Sequence, residues 1–120
     1  MFINCSNHKS SEWSKEQIEA AGVYGRIVDM MFPAVGTGIT EKEVSEMADN
    51  MFIRIKDYSP KCVMCQGEFT LTYALVERLL KAGIKTVAAC SDRKVIEKKL
   101  ENGESQKTVV FDFAGFRDYR

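Results

Sequence analysis

The sequence predicts an α/β domain of Rossmann-like build: a mostly parallel sheet with flanking helices and a C-terminal β-hairpin. Three observations predict it. Apolar strand-like runs alternate with helices that carry their own start signals, which is the pattern of a parallel sheet joined by right-handed crossovers. Two of those helices open on capping-box spacings, Ser14 with Gln17 and Thr40 with Glu43. The last third changes character, with Val95–Leu100 and Gln106–Phe113 flanking an Asn102-Gly103 turn, a strong short-range hairpin signal.

Taken in order, Phe2–Ser6 reads as the first strand. Ser14 caps the first helix, Trp13 and Ile18 stand at staple spacing, and Gly22 is placed to end it. Arg26–Phe32 is the second strand, stopped by Pro33. The second helix carries Val44, Met47, Ala48, Met51 and Ile55 at helical spacing, one apolar stripe for the sheet. Lys61–Gln66 is a buried third strand, and Leu71, Ala74, Leu75, Leu79 and Leu80 mark a third helix that closes at Gly83. Ile84–Cys90 is the fourth strand, with Ser91-Asp92-Arg93 expected as a loop beyond its end. Phe111, Phe113, Phe116 and Tyr119 are expected to close the core or meet a second subunit. Residues 1–120 read as one domain without repeat or linker.

Composition narrows the function classes. The 120 residues are 45% hydrophobic and 28% charged, within the range of folded domains. The 17 basic and 17 acidic residues balance, whereas coating duplex DNA needs a basic surplus. No apolar run reaches the roughly 20 residues of a membrane span, and Met1–Ser6 reads as too short, and without the basic region, for a signal peptide. A cytoplasmic location is the expectation. Of four cysteines, Cys62 and Cys65 form a C-x-x-C within a strand, where residues three apart point to opposite faces. That spacing predicts core thiols rather than a zinc or redox pair, and no metal site is expected.

In an open parallel sheet, ligands bind beyond the carboxyl ends of the strands where strand order reverses. Four segments are expected there: Ser6-Asn7-His8-Lys9-Ser10-Ser11, Pro33–Gly38, Gly67-Glu68-Phe69-Thr70 and Ser91-Asp92-Arg93. Hydroxyls, cations and helix N-termini together suit a phosphate-bearing ligand. His8 is the candidate for proton transfer or, equally, a surface histidine bonded to its own loop. Lys9 and Arg93 are candidates to neutralise phosphate, or simply solvated charges. Gly67 either admits a ligand to the backbone or makes a tight turn. Glu68 is a base, a ribose contact or a first-turn carboxylate, and Thr70 and Thr72 are cap candidates before they are ligand groups. Neither a G-x-G-x-x-G nor a Walker A sequence occurs, so no nucleotide cofactor is expected.

The first strand running into Ser-Asn-His-Lys-Ser-Ser-Glu-Trp-Ser-Lys-Glu-Gln (residues 6–17) resembles the opening of small stand-alone CRISPR-associated ring nucleases. These belong with the CARF-type Rossmann-like proteins, and the likeness is a motif over the first ~20 residues, an order of elements beyond. The resemblance implies a homodimer that binds a cyclic oligoadenylate in type III CRISPR antiviral signalling and cuts it without metal, a ribose 2′-hydroxyl attacking the adjacent phosphorus. It further implies that Ser6, Asn7, Ser10 and Ser11 hold phosphates; Ser91 is a ligand-binding candidate by its place past the end of the fourth strand. His8 would assist proton transfer, and Lys9 or Arg93 would stabilise charge. Two other classes stay open: a receptor or sponge that holds the nucleotide intact, and an N-glycoside hydrolase or transferase using Glu68.

Overall fold

Apolar alternation in the chain resolves into two helical layers around one sheet. The computed structural model describes all 120 residues. Five strands, β1 (Phe2–Ser6), β2 (Ile27–Asp29), β3 (Cys62–Gln66), β4 (Thr86–Lys99) and β5 (Ser105–Asp118), lie in the order β2-β1-β3-β4-β5. The first four pair in parallel and β5 runs antiparallel to β4. Strand order therefore reverses between β1 and β3, the expected switch point. The fold is α/β, with three helices, a mostly parallel sheet and the C-terminal hairpin.

Side-chain parity along β1 and β3 divides the core. Ile3, Cys5, Val63 and Cys65 point to the face covered by helices α2 (Glu41–Asp57) and α3 (Phe69–Lys81), meeting Val44, Ala48, Met51, Ile55, Leu71, Leu75 and Leu79. Phe2, Cys62, Met64 and Val87 point to the other face, covered by α1 (Lys15–Gly22) through Ala21 and packed by Trp13 and Tyr24. Cys62 and Cys65 thus fall on opposite sides of the sheet, and all four thiols are free. Burial pushes the Cys62 thiol up to about 11, and a hydrogen bond with the Cys5 thiol, together with burial, pushes Cys65 up as well.

The helix starts follow from their caps. Thr40 accepts from the Glu43 amide at 3.2 Å while the Glu43 carboxylate accepts from the Thr40 amide at 3.3 Å, a closed capping box. Ser14 accepts from the Gln17 amide at 3.2 Å, but the Gln17 side chain turns away toward the Met64 sulfur, so that box is only half made. Gly22 is the last residue of α1 rather than the residue beyond it; the turn is made by Gly25, at φ 108. Its backbone lies against Met1, and a Cβ there would stand 3.0 Å from the Met1 nitrogen.

Two strand boundaries differ from the sequence reading. β2 is regular only over Ile27–Asp29, although the chain beyond it stays bonded to β1 through Met30 N–H to the Asn4 carbonyl (2.8 Å) and Phe32 N–H to the Ser6 carbonyl (3.1 Å). The larger correction concerns Ser91-Asp92-Arg93, which form no loop. β4 continues unbroken from Thr86 to Lys99, so the fourth strand and the first hairpin strand are one element. The reason is β5, which supplies an antiparallel partner along that whole length, from Val87↔Asp118 to Lys99↔Ser105. One irregularity falls between Cys90 and Ser91, where Cys90 faces Gly115 and Ser91 faces Phe113, leaving Ala114 unpaired as a bulge.

Beyond that bulge the hairpin leaves the sheet as an arm. The radius of gyration is 17.2 Å and the longest dimension 56 Å, against about 14 Å expected for a compact chain of this length.

Candidate functional site at the switch point

The site is built on a polar network at the carboxyl end of β1. Asn4 and Ser6 face the α1 side and are both buried. The Asn4 amide donates to the Asp29 carboxylate at 2.9 Å and to the His8 carbonyl at 2.7 Å, and Ser6 Oγ donates to Asn4 Oδ1 at 2.6 Å. Ser6 Oγ also accepts from the His8 amide at 3.2 Å. Asp29, at the end of β2, accepts from the Ser10 amide at 3.2 Å and the Ser10 hydroxyl at 3.0 Å. Strand ends β1 and β2 therefore clamp the loop from His8 to Ser10, and the Ser10–Glu12 turn delivers the chain to α1.

Above this network lies a cleft of about 890 Å³, within the roughly 300–1,000 Å³ usual for small-ligand sites. Its floor is Ser6, Met64, Gln66 and Ala89, one wall is His8, Glu12, Trp13, Ser14, Glu16 and Gln17, and the opposite wall is the hairpin arm, through Ser91, Asp92, Lys94, Phe111, Asp112 and Phe113. Gln66 joins floor to wall. β3 ends there, and its side-chain oxygen accepts from the Ala89 amide at 2.7 Å, continuing the ladder to β4. Phe113 packs edge-on to Phe116 at 5.0 Å, and Phe116 on Phe2 at 5.2 Å, so the aromatic wall is rooted in the core. Tyr119, the other aromatic of that terminal cluster, donates to the Cys65 carbonyl, and burial pushes its hydroxyl up to about 12.

Of the residues expected at the site, the structure brings Ser6, His8, Ser91 and Asp92 together in this cleft. Asn7, Lys9, Ser10, Ser11 and Arg93 are outside its lining, Ser10 being committed to Asp29. Gly67, Glu68 and Thr70 also lie outside, because the loop after β3 turns to the α2/α3 face. Gly67 is glycine for packing: a Cβ there would stand 2.5 Å from the Phe32 ring. Glu68 is the N-cap of α3. Its carboxylate accepts from the Thr70 and Leu71 amides at 3.0 and 2.9 Å and from the Thr70 hydroxyl at 2.7 Å. Those bonds hold its carboxyl below the usual range, the Thr70 hydroxyl contributing most. A carboxylate so engaged is a cap, and the Thr70 hydroxyl is spent on it.

Sequence reasoning missed Asn4, Asp29 and Gln66, and most of the cleft wall. A signal for Asn4 was present, since it is an amide flanked by Phe2, Ile3 and Cys5 in a strand that reads as buried. The electrostatics also differ from the expectation of a basic pocket. Glu12, Glu16, Asp92 and Asp112 stand against Lys94 and His8, and Lys94 is paired with Asp112 at 2.7 Å, which raises its pKa. Such a lining offers acceptors to ligand groups that donate hydrogen bonds, aromatic rings for stacking, and Lys94 as its one lysine or arginine. No group of three or more His, Cys, Asp and Glu side chains is placed to hold a metal ion. No helix is long and apolar enough to cross a membrane.

Fold and cleft together define an α/β domain whose pocket lies at the switch point of a 2-1-3-4-5 sheet and is walled by its own hairpin. Residues 1–117 match the model of the family described as "Uncharacterized protein MJ1673 family", and the chain belongs to that family. No curated protein and no solved structure is significantly similar to it.

Proposed function

We propose that this domain binds a cyclic oligoadenylate in the switch-point cleft and opens its ring. The observation that carries the reading is the cleft lining: Trp13, Phe111 and Phe113 beside hydrogen-bond acceptors, with His8 at the end of β1. Aromatic rings stack on adenine, and carboxylates accept from its amino group and from ribose hydroxyls. The opening motif around His8, which resembles that of CARF-type ring nucleases, supports the same ligand. In the reaction a ribose 2′-oxygen attacks the adjacent phosphorus in line, and the bond to the 5′-oxygen breaks. The 2′-hydroxyl proton passes to a base, for which His8 is the candidate, and the departing 5′-oxygen gains a proton. The product is a linear oligoadenylate ending in a 2′,3′-cyclic phosphate. Positioning by the clamped loop supplies part of the acceleration.

A second reading, a receptor that holds the nucleotide intact, draws on the position of Lys9 and Arg93 outside the cleft, which leaves Lys94 as its only lysine or arginine. One experiment separates the two. The chain is incubated with cyclic tri-, tetra- and hexa-adenylate in EDTA, the products are resolved by chromatography, and binding is measured in parallel. Ring opening that falls in His8→Ala supports the nuclease. Intact ligand with saturable binding makes the domain a receptor, and no binding to any ring overturns both.

A further inference from the structure

We infer that the arm is a dimerisation element: the free edge of β4 pairs antiparallel with the same edge of a second copy, about a two-fold axis at Val95. This is independent of which ligand the cleft takes. Along the sheet, β4 is bonded to β3 only at Val63↔Thr86 and Met64↔Val87, with Gln66 extending the contact to Ala89. From Ser91 to Lys99 that edge has no neighbour, while the other edge carries β5. The arm is exposed on both faces, Val95, Ile96 and Phe111 being 52%, 53% and 67% exposed. A two-stranded ribbon standing in water is marginal by itself, and a third strand makes it stable.

The charges say which strand. Asp92, Arg93, Glu97 and Lys98 lie on this edge strand, and none of them joins an ion pair within the chain. An antiparallel pairing centred on Val95 sets Arg93 opposite the partner's Glu97 and Asp92 opposite the partner's Lys98, and the two-fold axis makes each pair twice. Val95 meets the partner's Val95. Moving the centre to Ile96 instead opposes Arg93 to the partner's Lys99 and Lys94 to the partner's Lys98. The sequence is therefore self-complementary in one register and self-repelling in the next. Within a single chain Asp92 directly faces Asp112, an unfavourable like-charge pair that the partner's Lys98 would relieve. Since Asp92 and Asp112 both line the cleft, each copy would lend a cation to the acid-rich site of the other. The outer edge of β5 offers no such code: its arm segment carries only Lys107 and Asp112, and Asp112 is already held by Lys94.

Sedimentation velocity over a micromolar concentration series tests the inference. The expected result is a dimer, weakened at least about tenfold by Arg93→Glu or by Glu97→Arg. The combined Arg93→Glu/Glu97→Arg chain should recover dimerisation, because the swap restores both pairs. Circular dichroism melts show that the variants stay folded, the arm lying outside the core. As a second readout, Val95→Cys in a Cys90→Ser background should form a disulfide-linked dimer on mild oxidation, its two thiols facing each other across the axis. A monomer throughout the series overturns the proposal. So does a dimer indifferent to both charge reversals, or one cross-linked by Thr108→Cys on β5 and not by Val95→Cys.

Discussion

Gly67→Ala puts one methyl group into a place already occupied. The added Cβ would stand 2.5 Å from Phe32 Cδ1 and 2.7 Å from Cε1 and Cγ, where carbon atoms at rest sit about 3.5–4.0 Å apart. Roughly 1 Å of movement is needed. The ring cannot swing away freely, because Phe32 is 7% exposed within the larger core cluster and its amide is bonded to the Ser6 carbonyl. Overpacking of this kind costs about 1–3 kcal/mol, a sizeable share of the 5–15 kcal/mol of a small domain. Phe32→Ala should cost about 3–5 kcal/mol by itself. In the double variant the alanine methyl enters space the ring has left, so the two costs should fall short of their sum by about 1 kcal/mol or more. Urea unfolding at constant m-value reads all three chains. If Gly67→Ala lies within about 0.5 kcal/mol of the parent and the double variant is additive, the packing account of this glycine is wrong.

Further outcomes follow from the same contacts. Asn4→Ala should cost about 1–3 kcal/mol, because it removes the shorter of the two acceptors of the buried Ser6 hydroxyl and takes a donor from both Asp29 and the His8 carbonyl; limited proteolysis should then cut first between Asn7 and Ser11. Thiol titration of the native chain should label Cys90, which is half-buried, ahead of Cys5, Cys62 and Cys65, which are 0% exposed; the three should react only in denaturant. Glu68→Gln should lower the melting temperature near neutrality, and the difference should shrink in acid. The sign follows from the lowered carboxyl pKa of Glu68 in the folded chain. Its stabilisation is present above the ordinary glutamate value and lost as the pH falls through the lowered one. A difference that persists unchanged to acid pH would remove Glu68 from the role of charged cap.

The architecture was legible because each local signal agreed with its neighbours. The near-continuous buried runs of β1 and β3 and the caps at Ser14, Thr40 and Gly83 all specify the same order of layers. The cleft was legible only in part. Ser6, His8, Ser91 and Asp92 were placed by the rule that ligands gather at strand ends, but that rule is silent about which face each loop turns to. Gly67, Glu68 and Thr70 go to the far face with α3, a choice made by the crossover and not by their own chemistry. The Ser91-Asp92-Arg93 segment misled because a run of polar residues after an apolar strand reads as a loop. Its backbone bonds are instead met by β5, 20 or so positions further on, an example of pairing that sequence-local reasoning does not see. Lys94 and the aromatic wall were missed with it. Asp29 reads from sequence as a strand residue; only its register opposite Asn4 reveals it as the clamp on the His8 loop.

The bulge between Cys90 and Ser91 acts as a parity setting for everything beyond it. Side chains alternate along a strand, so the count of residues between core and arm decides which members of the ribbon look into the cleft. With Ala114 unpaired, Ser91 and Phe113 come to face each other, and the aromatic wall grows from the same face as Phe116 and Phe2. One residue inserted after Cys90 would give Ala114 a partner and turn the ribbon over as a unit, exchanging its two surfaces while leaving the sheet untouched. The chain thus holds its binding wall in place by an odd residue in one strand, and the arm can be inverted or retuned without altering the core that carries it.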